Sequence, residues 1–287
     1  MTQFSTLQHE ADGLSAGLPP LMVQADHLAA SVSLGVHGRR RAGMGESFWQ
    51  FRRYASHDSS SAIDWRQSAK SQHIFVRERE WEAAQTVWFW RDASANMNFK
   101  SGPKGSDVSK RARADLLLLA LAALLVRGGE RVGFIGMEGG VGASRLALTR
   151  MGRAMFAATA EALPPPAPLK RGNQMVWFSD FLDDGAFDAM QRLSRAGVAG
   201  HLVRIIDPAE EDFPYAGRTR FESPNGGAGE IFGRAERVRG PYRARFVAHG
   251  ERVAEAASKL GWTCTVHRTD HAPQGSLIAL HAAIGGI

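Results

Sequence analysis

The segment Val87-Trp88-Phe89-Trp90-Arg91-Asp92 constrains the fold more than any other part of the chain. Its large side chains follow one another without polar alternation. A strand of that kind is covered on both faces, as when helices pack on each side of a sheet. The run ends at Asp92, and Ser94 and Asn96 follow at alternate positions. Three short oxygen-bearing side chains at i, i+2 and i+4 just past a strand can turn toward one point. A carboxylate, a hydroxyl and an amide oxygen suit a hard cation such as Mg²⁺, which keeps part of its water shell. The same residue types are favoured at turns and helix starts, so capping of nearby backbone is the competing use of Asp92, Ser94 and Asp180.

Downstream, strand-like and helix-like segments alternate. Strands are expected at Gln85–Arg91, Arg131–Met137, Gln174–Ser179, His201–Ile206 and Trp262–His267. The first leads to a helix capped by Ser106 or Asp107, running to Arg127 and stopping at Gly128-Gly129. It is apolar nearly all round, which places it in the interior. Gly139-Gly140-Val141-Gly142 reads as a turn leading into a hairpin strand over 145–148. Helices are expected over 152–162, ended by Pro164-Pro165-Pro166, over 183–195, 241–260 and 277–283. A weaker helical pattern covers 24–34. Asn225-Gly226-Gly227 marks a hairpin inserted within 207–240.

This alternation predicts an α/β fold, a doubly wound, mostly parallel sheet with helices on both faces, over 85–287. Residues 1–84 are set apart as an arginine-rich, irregular and β-containing segment. Ligands of such sheets bind beyond the carboxyl ends of the strands. Asp92 and Asp180 both fall at such ends and are expected to approach each other. The Asp92, Ser94, Asn96 loop resembles the Asp-x-Ser-x-Ser loop of von Willebrand factor A-type domains, with Asn96 replacing the last Ser. That resemblance implies a von Willebrand factor A-like fold and a metal-ion-dependent adhesion site of Asp92, Ser94, Asn96 and Asp180. The family adds a Thr from a middle loop, where this chain offers only Thr159, inside a predicted helix. The implied Mg²⁺ site is therefore a degenerate one.

A second series lies upstream: Gly45-Glu46-Ser47-Phe48, Arg52-Arg53-Tyr54, and Ile63-Asp64-Trp65-Arg66-Gln67-Ser68-Ala69-Lys70. It resembles the bacterial domain of unknown function 58 family, whose pattern is Gly-Glu-Phe, Arg-x-Tyr and Ile-Asp-Trp-Arg-x-Ser-Ala-Arg ahead of a von Willebrand A-like strand. Phe48 stands one residue late, and Lys70 replaces the final Arg. The residues that carry the resemblance are Glu46, Arg53, Tyr54, Asp64, Trp65 and Arg66. Trp65 is expected to anchor in a core, with Asp64 paired to Arg52 or Arg53. Members of the family are often encoded beside MoxR-type AAA+ ATPases. The resemblance thus implies a partner or adaptor of such an ATPase, acting with a further client protein.

Bulk properties narrow the choice further. A single cysteine, Cys264, excludes an internal disulfide and a multi-cysteine metal site. The longest apolar run, Leu116 to Val126, is too short to span a membrane. The first residues show no secretory leader, so a cytoplasmic protein is expected. The net charge of +6 comes mostly from arginine, a residue that forks onto carboxylates and phosphates. Glu46 follows Arg39-Arg40-Arg41 and Glu236 lies among the arginines of 234–245, which favours a protein-facing surface over nucleic acid. The histidines show no zinc spacing, and Gly139 to Gly142 lacks the Lys-Ser/Thr ending of a phosphate loop. The expected function is a non-enzymatic interaction module. The alternative is a metal-dependent phosphoesterase, or a nucleic-acid binder, and the phosphoesterase would require Asp183 and Asp184 to join Asp92 and Asp180.

Overall fold

A computed structural model describes residues 19–33, 48–55, 60, 63–79, 84–158, 160–224, 226 and 229–285. The chain forms two compact units, Met1–Val36 with Gln85–Ile287, and His37–Ala84. The division drawn from sequence at residue 84 keeps all of 1–84 together; the structure instead groups the helix over 19–33 (α1) with the residues after 84.

The larger unit is built on five parallel strands: β3 (Thr86–Arg91), β4 (Arg131–Phe134), β5 (Gln174–Ser179), β6 (Ala199–Ile206) and β9 (Thr263–Arg268), in the order β4-β3-β5-β6-β9. In β3 every residue after Thr86 is buried, as a strand covered on both faces must be. Trp90 lies opposite Trp177 on β5 and stacks on Phe134 at 5.4 Å. Helices α4 (Arg145–Ala157) and α8 (Pro273–Ile284) both pack on α3 (Lys110–Arg127), and α5 (Ala186–Arg195) packs with α7 (Arg239–Lys259). The α/β architecture with a parallel sheet between helices is thus as expected.

Local chemistry sets the boundaries. Ser109, not Ser106 or Asp107, caps α3, its hydroxyl taking the N–H of Ala112 at 3.1 Å. Ser106 is engaged earlier in the loop, accepting from the N–H of Val108. The strand expected over 145–148 is the first turn of α4. Ser144 caps it, and Ala147, Leu148, Met151, Gly152 and Met155 are buried at helical spacing. What remains of the predicted hairpin is one bridge, Gly142 exchanging two hydrogen bonds with Val132 at 2.9 Å each.

The region 207–240 holds the expected hairpin, β7 (Thr219–Phe221) against β8 (Glu230–Phe232). It also holds a short helix that the sequence reading missed, α6 (Pro208–Asp212), closed by a capping box between Asp207 and Glu210. Helix α1 extends over 19–33, five residues earlier than its sequence pattern. Its buried Ala25, Leu28, Ala29 and Val32 join the core of the larger unit at i, i+3, i+4 and i+7.

In the smaller unit, β1 (Phe48–Arg53) and β2 (Phe75–Arg79) pair antiparallel, and Ile63 bridges to Val76. Between them lies the four-residue helix α2 (Trp65–Ser68), whose N-cap Asp64 accepts the N–H of Gln67 at 2.9 Å.

Candidate functional site

Parallel strands β3, β5 and β6 are neighbours, so their carboxyl ends lie side by side. Asp92 follows β3, Asp180 follows β5, and Asp207 follows β6. The structure therefore brings Asp92 and Asp180 to one edge of the sheet, both buried.

Asp92 is occupied on both oxygens. Oδ1 accepts the N–H of Ser94 at 2.7 Å, and Oδ2 accepts the hydroxyl of Ser179 at 2.7 Å. Burial raises its pKa, the hydrogen bonds from Ser94 and Ser179 oppose this, and the nearby Asp180 charge adds to the rise. Ser94 stands before a single turn of 3-10 helix, Ala95–Asn98, and its side chain caps nothing there. Asn96 is half-buried and faces a groove described below.

Asp180 splits its oxygens differently. Oδ1 accepts the N–H of Leu182 at 3.0 Å, and Oδ2 meets the ammonium of Lys110 at 2.8 Å. The same ammonium meets Glu210 Oε1 at 2.6 Å. Lys110 is the first residue of α3 and only 1% exposed. Burial alone lowers its pKa, but the Asp180 and Glu210 carboxylates outweigh burial and the net shift is upward. The ammonium is thus held charged. Glu210 Oε2 accepts the N–H of Asp207, and Asp207 accepts the N–H groups of Ala209 and Ser101. That last bond, at 3.0 Å, ties the loop after β3 to the loop after β6.

This donor set does not fit a divalent cation. Each Asp92 oxygen already accepts a hydrogen bond, and a metal reaching Asp180 would face a positive charge already seated between two carboxylates. Among the described residues, no three His, Cys, Asp or Glu side chains are grouped to hold a metal ion. Thr159 lies outside the described residues. Asp183 and Asp184 are exposed, and Asp183 Oδ1 takes the N–H of Gly185 at 2.9 Å.

Above the Lys110 pair opens a groove of about 660 Å³. Its walls are aromatic: Phe99, Phe213, Tyr215, Phe221, Phe232 and Tyr242. Phe213 organises them, its ring lying 5.3 Å from Tyr215, 5.7 Å from Phe221 and 4.8 Å from Tyr242. Sequence reasoning missed Lys110, Glu210 and this groove. The Asp207-x-x-Glu210 spacing after Ile206 was a legible capping-box signal for α6; nothing in the sequence marked Lys110 as buried.

The upstream motif residues fall in the smaller unit. Arg53 and Arg66 are exposed and Tyr54 is half-buried, while Glu46 lies outside the described residues. Trp65 is 67% exposed, which corrects the expectation that it anchors in a core. It opens a four-residue helix in which no residue is buried, and Asp64 serves as that helix's cap.

A family model described as "Protein of unknown function DUF58" matches residues 50–252. No curated protein matches the chain. Among solved structures, conserved hypothetical protein BatB from Bacteroides thetaiotaomicron is similar at 13% identity and a TM-score of 0.38, covering 71% of this chain and 98% of that one. An aerotolerance-related membrane protein from Bacteroides fragilis is similar at 15% identity and a TM-score of 0.41, covering 71% of this chain and 100% of that one. Among the described residues, no helix is long and apolar enough to cross a membrane.

Proposed function

Because the chain belongs to the DUF58 family, we propose that it is a protein-interaction module, an adaptor for a MoxR-type AAA+ ATPase in the assembly or maturation of a target complex. The observation that carries this reading is the aromatic groove at the carboxyl edge of the sheet. Aromatic side chains offer large buried area for little rotamer entropy and dominate the energetics of protein interfaces. The groove lies where doubly wound sheets take their ligands. The fixed positive charge beneath it is the Lys110 ammonium, in the role that a von Willebrand A-type domain gives to Mg²⁺. The exposed position of Asp183 and Asp184 favours this reading over the phosphoesterase, which needs further acids turned toward Asp92.

Capture of a purified MoxR-type ATPase from the source organism tests the proposal. Wild-type protein should retain it, and Tyr215→Ala or Phe232→Ala should each weaken capture roughly tenfold, as loss of a central aromatic anchor does. Equal capture by wild type and both variants would remove the groove from the mechanism.

A further inference from the structure

Beside the aromatic groove, and sharing its Tyr242 wall, lies a second cavity of about 650 Å³ between the end of β6 and helix α7. At its base is Arg204, on β6, only 5% exposed. Its guanidinium lies over the ring of Phe246 at 4.5 Å. Its Nε has no hydrogen-bond partner among the described residues. A buried, charged donor left unsatisfied is costly, and proteins seldom carry one without a use for it. Burial lowers the Arg204 pKa, with Glu210 and Asp180 pulling the other way. Those two carboxylates also face the cavity. Both are already bound to Lys110.

Two more guanidinium groups stand at the rim. Arg245 and Arg252 lie seven positions apart on α7, hence on one face of that helix, and both line the cavity. The arginine-rich stretch read from sequence over 234–245 therefore contributes one member to a built site. Gly250 fits the arrangement. A Cβ at that position would collide with Nη1 of Arg204, so the glycine makes room for the guanidinium against the helix. The remaining walls are Leu182, Ile206, Phe246 and Ala248, with one polar group among them, the His249 imidazole, whose Nδ1 lies 3.2 Å from Nη2 of Arg252.

We propose that this cavity binds a carboxylate carried on an apolar body, with Arg204 as the buried anchor and Arg245 and Arg252 closing over the anion. Guanidinium groups match a carboxylate in a two-pronged geometry. Leu182, Ile206 and Phe246 take the apolar part. A single negative charge suits the site better than a phosphate dianion, because Asp180 and Glu210 stand in the same wall. The carboxylate comes from a peptide end or a small organic acid. The inference rests on the interaction reading only for its biological setting, since a partner's acidic group would enter here while its apolar residues fill the adjoining groove.

Calorimetric titration of the full chain decides it, with 3-phenylpropionate set against 3-phenylpropionamide. A second pair is an N-acetylated pentapeptide ending in phenylalanine, with free or amidated carboxyl terminus. At least one acid should bind roughly tenfold or more tightly than its amide. Preference for the peptide acid assigns the site to a peptide end, and preference for phenylpropionate to a small acid. Gly250→Ala should weaken acid binding roughly tenfold. Alanine is at home in a helix, so this variant displaces the guanidinium without disturbing the fold. Arg252→Ala, at the exposed rim, should cost a few-fold. Binding of acid and amide alike, no binding of either acid, inorganic phosphate bound in preference to both, or full affinity in Gly250→Ala would overturn the proposal. The ATPase capture is scored separately. If Gly250→Ala loses the acid but keeps the ATPase, the pocket stands apart from docking; if wild type takes the acid but never the ATPase, the adaptor reading fails alone.

Discussion

Lys110 shows how one side chain can redefine a site. Asp92, Ser94, Asn96 and Asp180 were readable from sequence because each follows a strand or lies in a strand-end loop, and parallel strands put their carboxyl ends together. Lys110 was not readable, since α3 starts three residues later than Ser106 suggests, and that delay turns the lysine inward. Removing the ammonium leaves buried Asp180 and half-buried Glu210 without their counter-charge. Lys110→Met is therefore expected to cost about 3–5 kcal/mol in urea unfolding. Lys110→Ala opens space between the same carboxylates, so millimolar Mg²⁺ should raise its melting temperature. Wild type should not respond to Mg²⁺ or to chelator. A wild-type melt that moves with Mg²⁺ would return the site to a metal. His267 offers a second test at this scale. Burial, with help from Arg113 and His271, pushes its pKa down from 6.5 to about 4, and its Nδ1 lies 2.7 Å from the Ser276 hydroxyl. The unfolded chain takes up this proton below about 6.5 and the folded chain only below about 4. Protons therefore favour unfolding in that window, and stability falls as pH drops through it. Between pH 7 and pH 5 the loss from this group should be about 2 kcal/mol. In His267→Gln the pH dependence should shrink by that amount in urea titrations at the two pH values.

At the level of elements, the strands were legible and the pieces that shape the site were not. Strands β3 and β5 announce themselves by unbroken bulky residues, which no helix surface or loop requires. Helix α4 was misread because Arg145 to Leu148 is too short to show a period, and the Gly-rich turn before it suggested a hairpin. The insertion after β6 was recognised only by its Asn-Gly turn. Its anchor is Phe213, buried at the end of α6 in a left-handed conformation, φ 46° and ψ 68°. Neither its burial nor that backbone geometry can be read from the flanking sequence. Phe213 meets three other rings, so Phe213→Ala should destabilise the larger unit by about 3–5 kcal/mol. The effect should be concentrated locally. Amide exchange across Thr219–Phe221 and Glu230–Phe232 should accelerate far more than across β3 and β5. Uniform acceleration through the sheet would mean that the insertion is part of the central core.

Across the whole molecule, the chain leaves its main unit and returns to it. The residues that match the family pattern most closely, Asp64 to Lys70, belong to the smaller unit, where Val76 is the single buried hydrophobic residue among those whose side chains are described. The core that makes the sheet stable lies elsewhere and includes α1. Leu28 and Val32 each contribute about 1.5–3 kcal/mol by burial, and Ala25 and Ala29 add to this. Helix α1 is further tied by Asp26 to Arg127 on α3 at 3.2 Å, an exposed pair worth little by itself. The total is comparable with the net stability of a typical domain. Removal of residues 1–36 should therefore leave 85–287 unable to hold its fold, with no cooperative melt by circular dichroism. Replacement of 37–84 by a flexible linker of about twenty residues should keep the melt cooperative, because the hydrophobic core described for the larger unit draws its residues from α1 and from 87 onward. A protein that survives loss of α1, yet unfolds on loss of 37–84, would reverse the assignment of the core and give the family-pattern segment a structural role that its exposed Trp65 does not suggest.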